Sequence, residues 1–375
     1  MKRVLYIISD IDRAKAFEWI ADHFHRHSSI DIWFCFLTAH TSATVQYLAA
    51  RNAQISCIHV RGKRDWPIAF VRLLKLLRRI KPDVVHCHLL TASVLGLSAA
   101  YVSHVKSRIF TRHHGSMHHT LYRKGLLWDF LCNSLATKIV SISPATSTIL
   151  LDWERVSKDK VVFIPHGFPH EPCGELEKVK ADVFRRRYNI PNHKNVIGVV
   201  SRFEDWKGIQ YTLKAFKGLL ENRTDCHLLL MNAVGSYSPV IHDLLSDVSP
   251  SHYTLVVHDP NMRSAYAAMD VFVHVPVDPY VEAFGQVYIE AMSAGVPMIC
   301  TLSGIAPTIV RPGINALVVP FCNSTAIRDA VLELINNPVQ AESLAAGAQS
   351  SIGMDFSLDS MCDQLGKLYA DNTIA

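Results

Sequence analysis

Two carboxylates, Glu282 and Glu290, stand eight residues apart in the segment Glu282-Ala-Phe-Gly-Gln-Val-Tyr-Ile-Glu290-Ala-Met-Ser-Ala-Gly295-Val-Pro297. The apolar run Val271 to Val275 predicts a strand, Pro276 to Tyr280 a loop, and Phe284 to Ala294 a helix. The first free amides of such a helix point back toward the loop and favour a phosphate there. Glu282, in the loop, and Glu290, two turns into the helix, are placed to accept hydrogen bonds from hydroxyls at the two ends of one ligand, while Gly285 permits close approach to the backbone. Hydroxyls at both ends and phosphate between them describe a nucleotide sugar.

A second cluster supplies positive charge. Ser201-Arg-Phe-Glu-Asp-Trp-Lys-Gly208 follows a predicted strand and opens a predicted helix, so Arg202 and Lys207 sit near another helix start. A guanidinium clamps phosphate oxygens bidentately and an ammonium adds a compact charge, which suits a diphosphate leaving group whose negative charge grows as its bond to a sugar breaks. Thr111-Arg-His113-His-Gly115 closes the fifth predicted strand, where open parallel sheets carry their ligand-binding loops. With His118 and His119 nearby a metal cluster is conceivable, but adjacent histidines on one backbone diverge and no Asp or Cys stands at ligand spacing, so no metal is expected.

With Phe-Gly after the first Glu, Glu-Ala at the second and Gly-x-Pro closing the helix, the segment resembles the paired-glutamate motif of the retaining glycosyltransferases of family 4. Arg202 and Lys207-Gly208 resemble that family's Arg-x4-Lys-Gly pair. The Thr-x-His pattern resembles its loop with a histidine beside the donor sugar, which maps to His113, with His114 as the fallback. Ile164-Pro-His166-Gly167 resembles a Pro-Asn-Gly segment ending the first domain, with His166 in place of asparagine, and Ser303-Gly304-Ile305 resembles a small-residue loop near the donor phosphates. Two departures stand out. Ala306-Pro307 replaces the usual Pro-Glu, and Ser9-Asp-Ile-Asp-Arg13 stands where many members carry a glycine pair; Asp10 or Asp12 is there either a helix N-cap or a holder of an acceptor hydroxyl.

The resemblance implies an α/β chain of two Rossmann-like, doubly wound domains facing across a cleft, the B-type glycosyltransferase fold. It implies catalysis by His113, Arg202, Lys207 and Glu282, and a donor held by Arg202, Lys207, Glu282, Phe284, Gly285, Gln286, Glu290, Ser303 and Gly304. Glu290 would take the ribose hydroxyls, Glu282 and His113 the sugar, and Arg202 and Lys207 the diphosphate. No metal or other cofactor is implied. The donor would be a nucleoside-diphosphate sugar, UDP-linked in preference to GDP-linked, and the acceptor a hydroxyl on a sugar or lipid-linked molecule, in the making of a cell-surface polysaccharide, lipopolysaccharide or glycolipid. A sugar-nucleotide epimerase, a glycoside phosphorylase or a non-catalytic sugar-nucleotide binder are the alternatives.

The elements that must position these groups are also legible. At 375 residues the chain suits two domains, and 49% hydrophobic against 19% charged residues excludes a largely disordered protein. A net charge of +5 is mild and points away from nucleic acid. Nine scattered cysteines without a C-x-x-C pair read as reduced core thiols of a cytoplasmic protein. Short apolar runs alternate with amphipathic stretches, predicting seven strands between Arg3 and Ile164 and six between Val196 and Val319. Pro169 to Lys178 reads as a linker, which divides the chain into an acceptor-side domain, 1–168, and a nucleotide-sugar domain, 169–356, with a helix in 357–375 packing back on the first. Leu89 to Val102 is long enough for a buried helix and too short to span a bilayer. Trp66 to Arg79 carries an apolar stripe with Arg72, Lys75, Arg78 and Arg79, and is either a helix packed on the sheet or a peripheral contact with an anionic membrane on the inner face of the cell.

Overall fold

A computed structural model describes residues 1–371 apart from 10, 28–29, 41, 170–174 and 353–355. Asp10 therefore lies outside the described residues. The chain divides into two compact units, Met1–His170 with Met354–Ala375, and Glu171–Gly353.

The first unit is built on seven strands, β1 (Lys2–Ser9), β2 (Ile30–Thr38), β3 (Gln54–His59), β4 (Val84–His88), β5 (Ser107–Arg112), β6 (Lys138–Ser141) and β7 (Val161–Phe163). All pair in parallel in the order β3-β2-β1-β4-β5-β6-β7. Helices α1 (Lys15–His27), α2 (Ala43–Ala49), α3 (Trp66–Ile80), α4 (Leu90–Val102), α5 (Met117–Thr120), α6 (Gly125–Leu135) and α7 (Pro144–Thr148) make the crossovers. Val4 to Ile8 are fully buried, as a central parallel strand covered on both faces requires, and this is why β1 reads as an unbroken apolar run. α1 starts at Lys15, so Asp12, three residues earlier and exposed, is not its N-cap; the Asp12 carbonyl instead accepts from the Thr44 amide at 3.3 Å.

The second unit has α8 (Glu175–Arg187), β8 (Asn195–Val200), α9 (Ile209–Leu220), β9 (Cys226–Met231), α10 (Ser238–Leu245), β10 (Tyr253–Val256), α11 (Met262–Ala267), β11 (Val271–His274), α12 (Gln286–Ala294), β12 (Met298–Cys300), α13 (Ala306–Ile309), β13 (Leu317–Val318), α14 (Ser324–Asn336) and α15 (Pro338–Ser351). Its six parallel strands run β10-β9-β8-β11-β12-β13. The segment expected to be linker up to Lys178 is shorter than that, since α8 already begins at Glu175. The last helix, α16 (Leu358–Ala370), lies on α1 and β1 of the first unit.

In each sheet the strand order reverses once, between β1 and β4 and between β8 and β11. Crossovers leave such a point in opposite directions, so the carboxyl ends of the two middle strands open a crevice. In the second unit those ends are followed by Ser201-Arg202 and occupied by His274; in the first they are Ser9 and His88.

Candidate active site

At the second unit's crevice, Gly208 brings the loop after β8 against the end of β11. It takes a left-handed conformation, φ 76°, and packs so closely on the Val275 carbonyl that any Cβ would overlap it. The Val277 amide donates to the Trp206 carbonyl at 3.1 Å, so Lys207 is held beside the loop that follows β11. That loop is internally tied. The Asp278 carboxylate accepts from the amides of Tyr280 (2.7 Å) and Val281 (3.0 Å), and the Gly304 amide donates to the Pro279 carbonyl at 3.2 Å.

Glu282 emerges from this loop almost fully buried, and its Oε2 accepts from Lys207 Nζ at 2.6 Å. His274 Nε2 lies 3.4 Å from the same oxygen, within ion-pair reach but without hydrogen-bond geometry. Burial alone would raise the Glu282 carboxyl, but the Lys207 ammonium beside it holds it down at about 2. Burial in turn lowers His274, leaving it neutral near pH 7. Glu282 is thus an ionised, water-shielded acceptor, oriented through its backbone amide, which reaches Ser303 Oγ at 3.4 Å.

The helix expected from Phe284 begins two residues later, at Gln286. Gly285 is the reason: at φ 86° it breaks the helical path, leaving Phe284 buried in the loop with its carbonyl taken by the Ile305 amide at 2.9 Å. Glu290 sits one turn into α12, where Oε1 accepts from Gln286 Nε2 at 2.7 Å and Oε2 from the Tyr266 hydroxyl at 2.8 Å. Burial, then the Glu290 charge, pushes the Tyr266 phenol well above its ordinary value, so it remains a donor. Arg202 stands apart from this group: its side chain is 64% exposed and lies 3.9 Å from the Glu204 carboxylate. Ser303 is fully buried and serves the Glu282 loop, and Gly304, at φ 63°, packs against the Phe284 carbonyl. The structure therefore brings Lys207, Glu282, Phe284, Gly285, Ser303 and Gly304 together. His274 and Tyr266, overlooked in the sequence, are added as supports; the end of β11 was the signal for His274.

His113 lies in the first unit, just beyond β5. Its Nε2 is 3.1 Å from Nδ1 of His88, at the end of β4, and its ring stacks on His166 at 5.6 Å between centroids. Burial, then the His166 ring, pushes His113 well below the usual histidine value, and His88 behaves alike. Both are neutral near pH 7, and one must donate to the other. His88 Nε2 is buried without a partner among the described residues. His114 turns away from His113 into another network, centred on buried Arg112. There the expected divergence of the histidines fails: Asp129 accepts from His118 Nδ1 at 2.7 Å and His114 Nε2 at 3.1 Å, so an aspartate does complete a three-residue group. The helical turn α5 folds His118 back toward α6, an arrangement invisible in linear spacing. The group is already satisfied by charge, because Arg112 Nη1 is 3.1 Å from Asp129 and Nη2 binds Glu154. A guanidinium at that distance competes with any cation for the same carboxylate.

Family models match both units: "Glycosyltransferase Family 4" over residues 38–171 and "Glycosyl transferases group 1" over residues 180–351. The chain belongs to glycosyltransferase family 4. Among the relatives of this glycosyltransferase is the capsular polysaccharide biosynthesis glycosyltransferase CapM of Staphylococcus aureus, 24% identical over 80% of each chain. Another is the alpha-monoglucosyldiacylglycerol synthase of Acholeplasma laidlawii, 25% identical over 75% of this chain and 73% of that one. HepE of Anabaena, solved in complex with UDP and glucose, superposes with a TM-score of 0.84 at 16% identity, over 99% of this chain and 100% of that one. The fold is the two-domain B-type glycosyltransferase fold, with two Rossmann-like domains, and enzymes of this kind use nucleotide-sugar donors. No helix among the described residues is long and apolar enough to cross a membrane.

Proposed function

We propose that this glycosyltransferase moves a hexose from a nucleoside-diphosphate sugar, UDP-linked in preference to GDP-linked, to an acceptor hydroxyl with retention of anomeric configuration and without a metal ion. The observation that carries the reading is the buried Lys207–Glu282 ion pair at the switch point of the second sheet, beside Gly285 at the start of α12. Arg202 and Lys207 are assigned to the diphosphate, Glu290 to the ribose, and Glu282 and His113 to the transferred sugar; Phe284, Gly285, Gln286, Ser303 and Gly304 shape the loop that receives it. The preference for UDP is supported by HepE, solved with UDP-glucose, although a Corynebacterium relative is described as GDP-mannose-dependent.

In this reading the acceptor oxygen attacks the anomeric carbon from the face that the diphosphate leaves, so the bond from carbon to phosphate oxygen breaks as the new glycosidic bond forms. The acceptor proton passes to the departing phosphate oxygen. The Lys207 charge and the amides of Gln286 and Val287 stabilise that oxygen as it gains charge. Glu282 is a positioning group, since its ion pair with Lys207 and its low pKa suit an acceptor of sugar hydroxyl hydrogens.

The acceptor is assigned to the lipid-linked intermediates of polysaccharide or glycolipid synthesis, met at an anionic membrane through Arg72, Lys75, Arg78 and Arg79. Names of relatives such as CapM and the alpha-monoglucosyldiacylglycerol synthase support this class. Thermal-shift titration with UDP-, GDP-, ADP- and CMP-sugars, followed by NMR of the product anomer with and without chelator, tests the reading. A selectively bound UDP-sugar and a retained anomer insensitive to chelator are expected. Inversion, or release of nucleotide without any acceptor, overturns it.

A further inference from the structure

Six of the exposed large apolar side chains fall on one part of the first unit. Leu127 and Phe130 on α6 are 74% and 73% exposed, Leu121 and Tyr122 lie in the turn before it, and Ile68 and Val71 are on α3. The two helices are neighbours: Trp66 of α3 and Trp128 of α6 meet edge to face at 5.2 Å, with the Lys63 ammonium over both rings. Each helix buries its opposite side, α3 through Ala69, Leu73 and Leu76, α6 through Asp129 and Cys132. The outward apolar residues are therefore not core residues left half covered. They stand where a solvated helix carries polar groups, and patches of this kind mark interaction sites.

What surrounds them identifies the partner. Arg72, Lys75, Arg78 and Arg79 are exposed on α3, and Arg123 and Lys124 precede α6. None of these six cations has a carboxylate partner among the described residues, and α3 contains no acidic residue. Arg72, Lys75 and Arg79 also line a notch of about 430 Å³ against the edge strand β3, where the Ser56 hydroxyl accepts from Arg79 Nη2 at 3.4 Å. These apolar side chains project separately from two helices and the turn before α6, and they are set among unpaired cations. They match a surface that is negative at its headgroups and apolar beneath.

We propose that the outer face of α3 and α6 seats on an anionic lipid bilayer, with Leu127 and Phe130 entering between headgroups and the cations of α3 lying on lipid phosphates. The inference deepens the lipid-linked acceptor reading by naming the surface that meets the lipid, and it adds an apolar contribution that the basic stripe alone lacks. Binding should then have two separable parts, one screened by salt and one not.

The test is sedimentation of the full chain with vesicles of phosphatidylcholine, with and without phosphatidylglycerol, at low and high salt. Wild-type protein is expected to sediment with the phosphatidylglycerol vesicles and to retain part of that binding at high salt. Leu127→Ser with Phe130→Ser should remove the salt-resistant part, roughly a tenfold or greater loss of partitioning. Arg72→Glu with Lys75→Glu should remove the salt-sensitive part. Stabilisation by a UDP-sugar should be unchanged in both variants, which separates loss of the surface from loss of the fold or of the donor site. Wild-type binding that the serine variant shares in full overturns the insertion surface while sparing the basic stripe. Failure of the wild type to bind either vesicle overturns surface and lipid-borne acceptor alike but leaves the donor chemistry standing. A wild-type dimer that the serine variant dissolves shows a second copy as the occupant and also overturns the proposal.

Discussion

Lys207 and Glu282 neutralise one another where little water reaches, so removing either leaves the other as an uncompensated buried charge. Lys207→Met should lower the stability of the second unit by about 3–5 kcal/mol, the usual consequence of breaking a buried pair from one side, and should raise the Glu282 carboxyl; denaturant unfolding and carboxyl NMR titration check the two effects. The native pair also fixes a pH dependence. The Glu282 carboxyl is held at about 2 against an ordinary 4.5, so its stabilisation is complete above pH 4.5 and disappears as the pH falls toward 2, amounting to about 3 kcal/mol for that difference. In Glu282→Gln this acid-limb loss should shrink by that amount. Arg202, whose side chain is largely in solvent, separates catalysis from stability: Arg202→Ala should melt like the wild type yet turn over about two to three orders of magnitude more slowly. The two glutamates should divide by ligand part. Calorimetric titration is expected to show Glu290→Gln weakening both UDP and the donor, and Glu282→Gln weakening only what contains the sugar; the reverse pattern means their roles are exchanged. Glu282, Glu290, Arg202 and Lys207 stand out in the sequence through the resemblance to the family 4 motifs, since Glu-x7-Glu alone is a weak pattern and Arg202 with Lys207 alone reads as a solvated helix start; the contact between Lys207 and Glu282 is what the structure adds. His274 was passed over, because Val-Phe-Val-His reads as one more buried strand; its place at the end of β11 was the only signal, and the Glu282 contact gives the imidazole its purpose.

The elements hold the site through backbone shape as much as through side chains. Gly208 and Gly313 share a left-handed conformation, φ 76° and 75°, but differ in surroundings: a Cβ at Gly208 would overlap the Val275 carbonyl, and one at Gly313 meets nothing within 4 Å. Gly313→Ala should therefore cost only the conformational penalty, about 1–2 kcal/mol. Gly208→Ala should cost more and also move Lys207 away from the loop after β11. Thermal unfolding of both variants and their affinity for UDP give the comparison, and equal losses of stability would show that the close approach to Val275 is not tight. All thirteen predicted strands are present, because the interior of a parallel sheet demands unbroken apolar runs and turn residues end them. Boundaries were less legible. Phe284 looks like the first residue of an amphipathic helix, and nothing local reveals that Gly285 turns left-handed and sends that ring into the core. Likewise the charged Glu175 to Lys178 reads as linker, yet it opens α8.

At the scale of the whole molecule, the chain's last helix belongs structurally to its first strand. Leu358, Met361, Leu365 and Leu368 announce α16 by their spacing, but the residue that ties it down is Tyr369, whose role no pattern of hydrophobicity discloses. Its hydroxyl lies 2.6 Å from the Tyr6 hydroxyl on β1 and 2.6 Å from His86 Nδ1 on β4, while His86 Nε2 reaches Thr111 Oγ1 on β5 at 2.9 Å. Four residues far apart in sequence thus form one buried polar chain across three adjacent strands and the terminal helix. Burial keeps the His86 imidazole neutral, at about 3, so it bonds as a neutral ring and the chain depends on hydroxyl protons being passed in one consistent direction. Tyr369→Phe preserves the packing of the ring and deletes only the hub, leaving the Tyr6 hydroxyl and His86 Nδ1 without partners. Two unsatisfied buried groups should together cost about 2–5 kcal/mol, concentrated in the first unit. The expected result is an earlier unfolding transition in Tyr369→Phe, with the stabilisation by a UDP-sugar retained in the second unit, read by hydrogen exchange at β1 and β4 against β8 and β11. Slow exchange preserved in β1 and β4 would mean that apolar packing of α16 alone secures the end of the chain, and that the hydroxyl chain serves the histidines at the carboxyl ends of those strands instead.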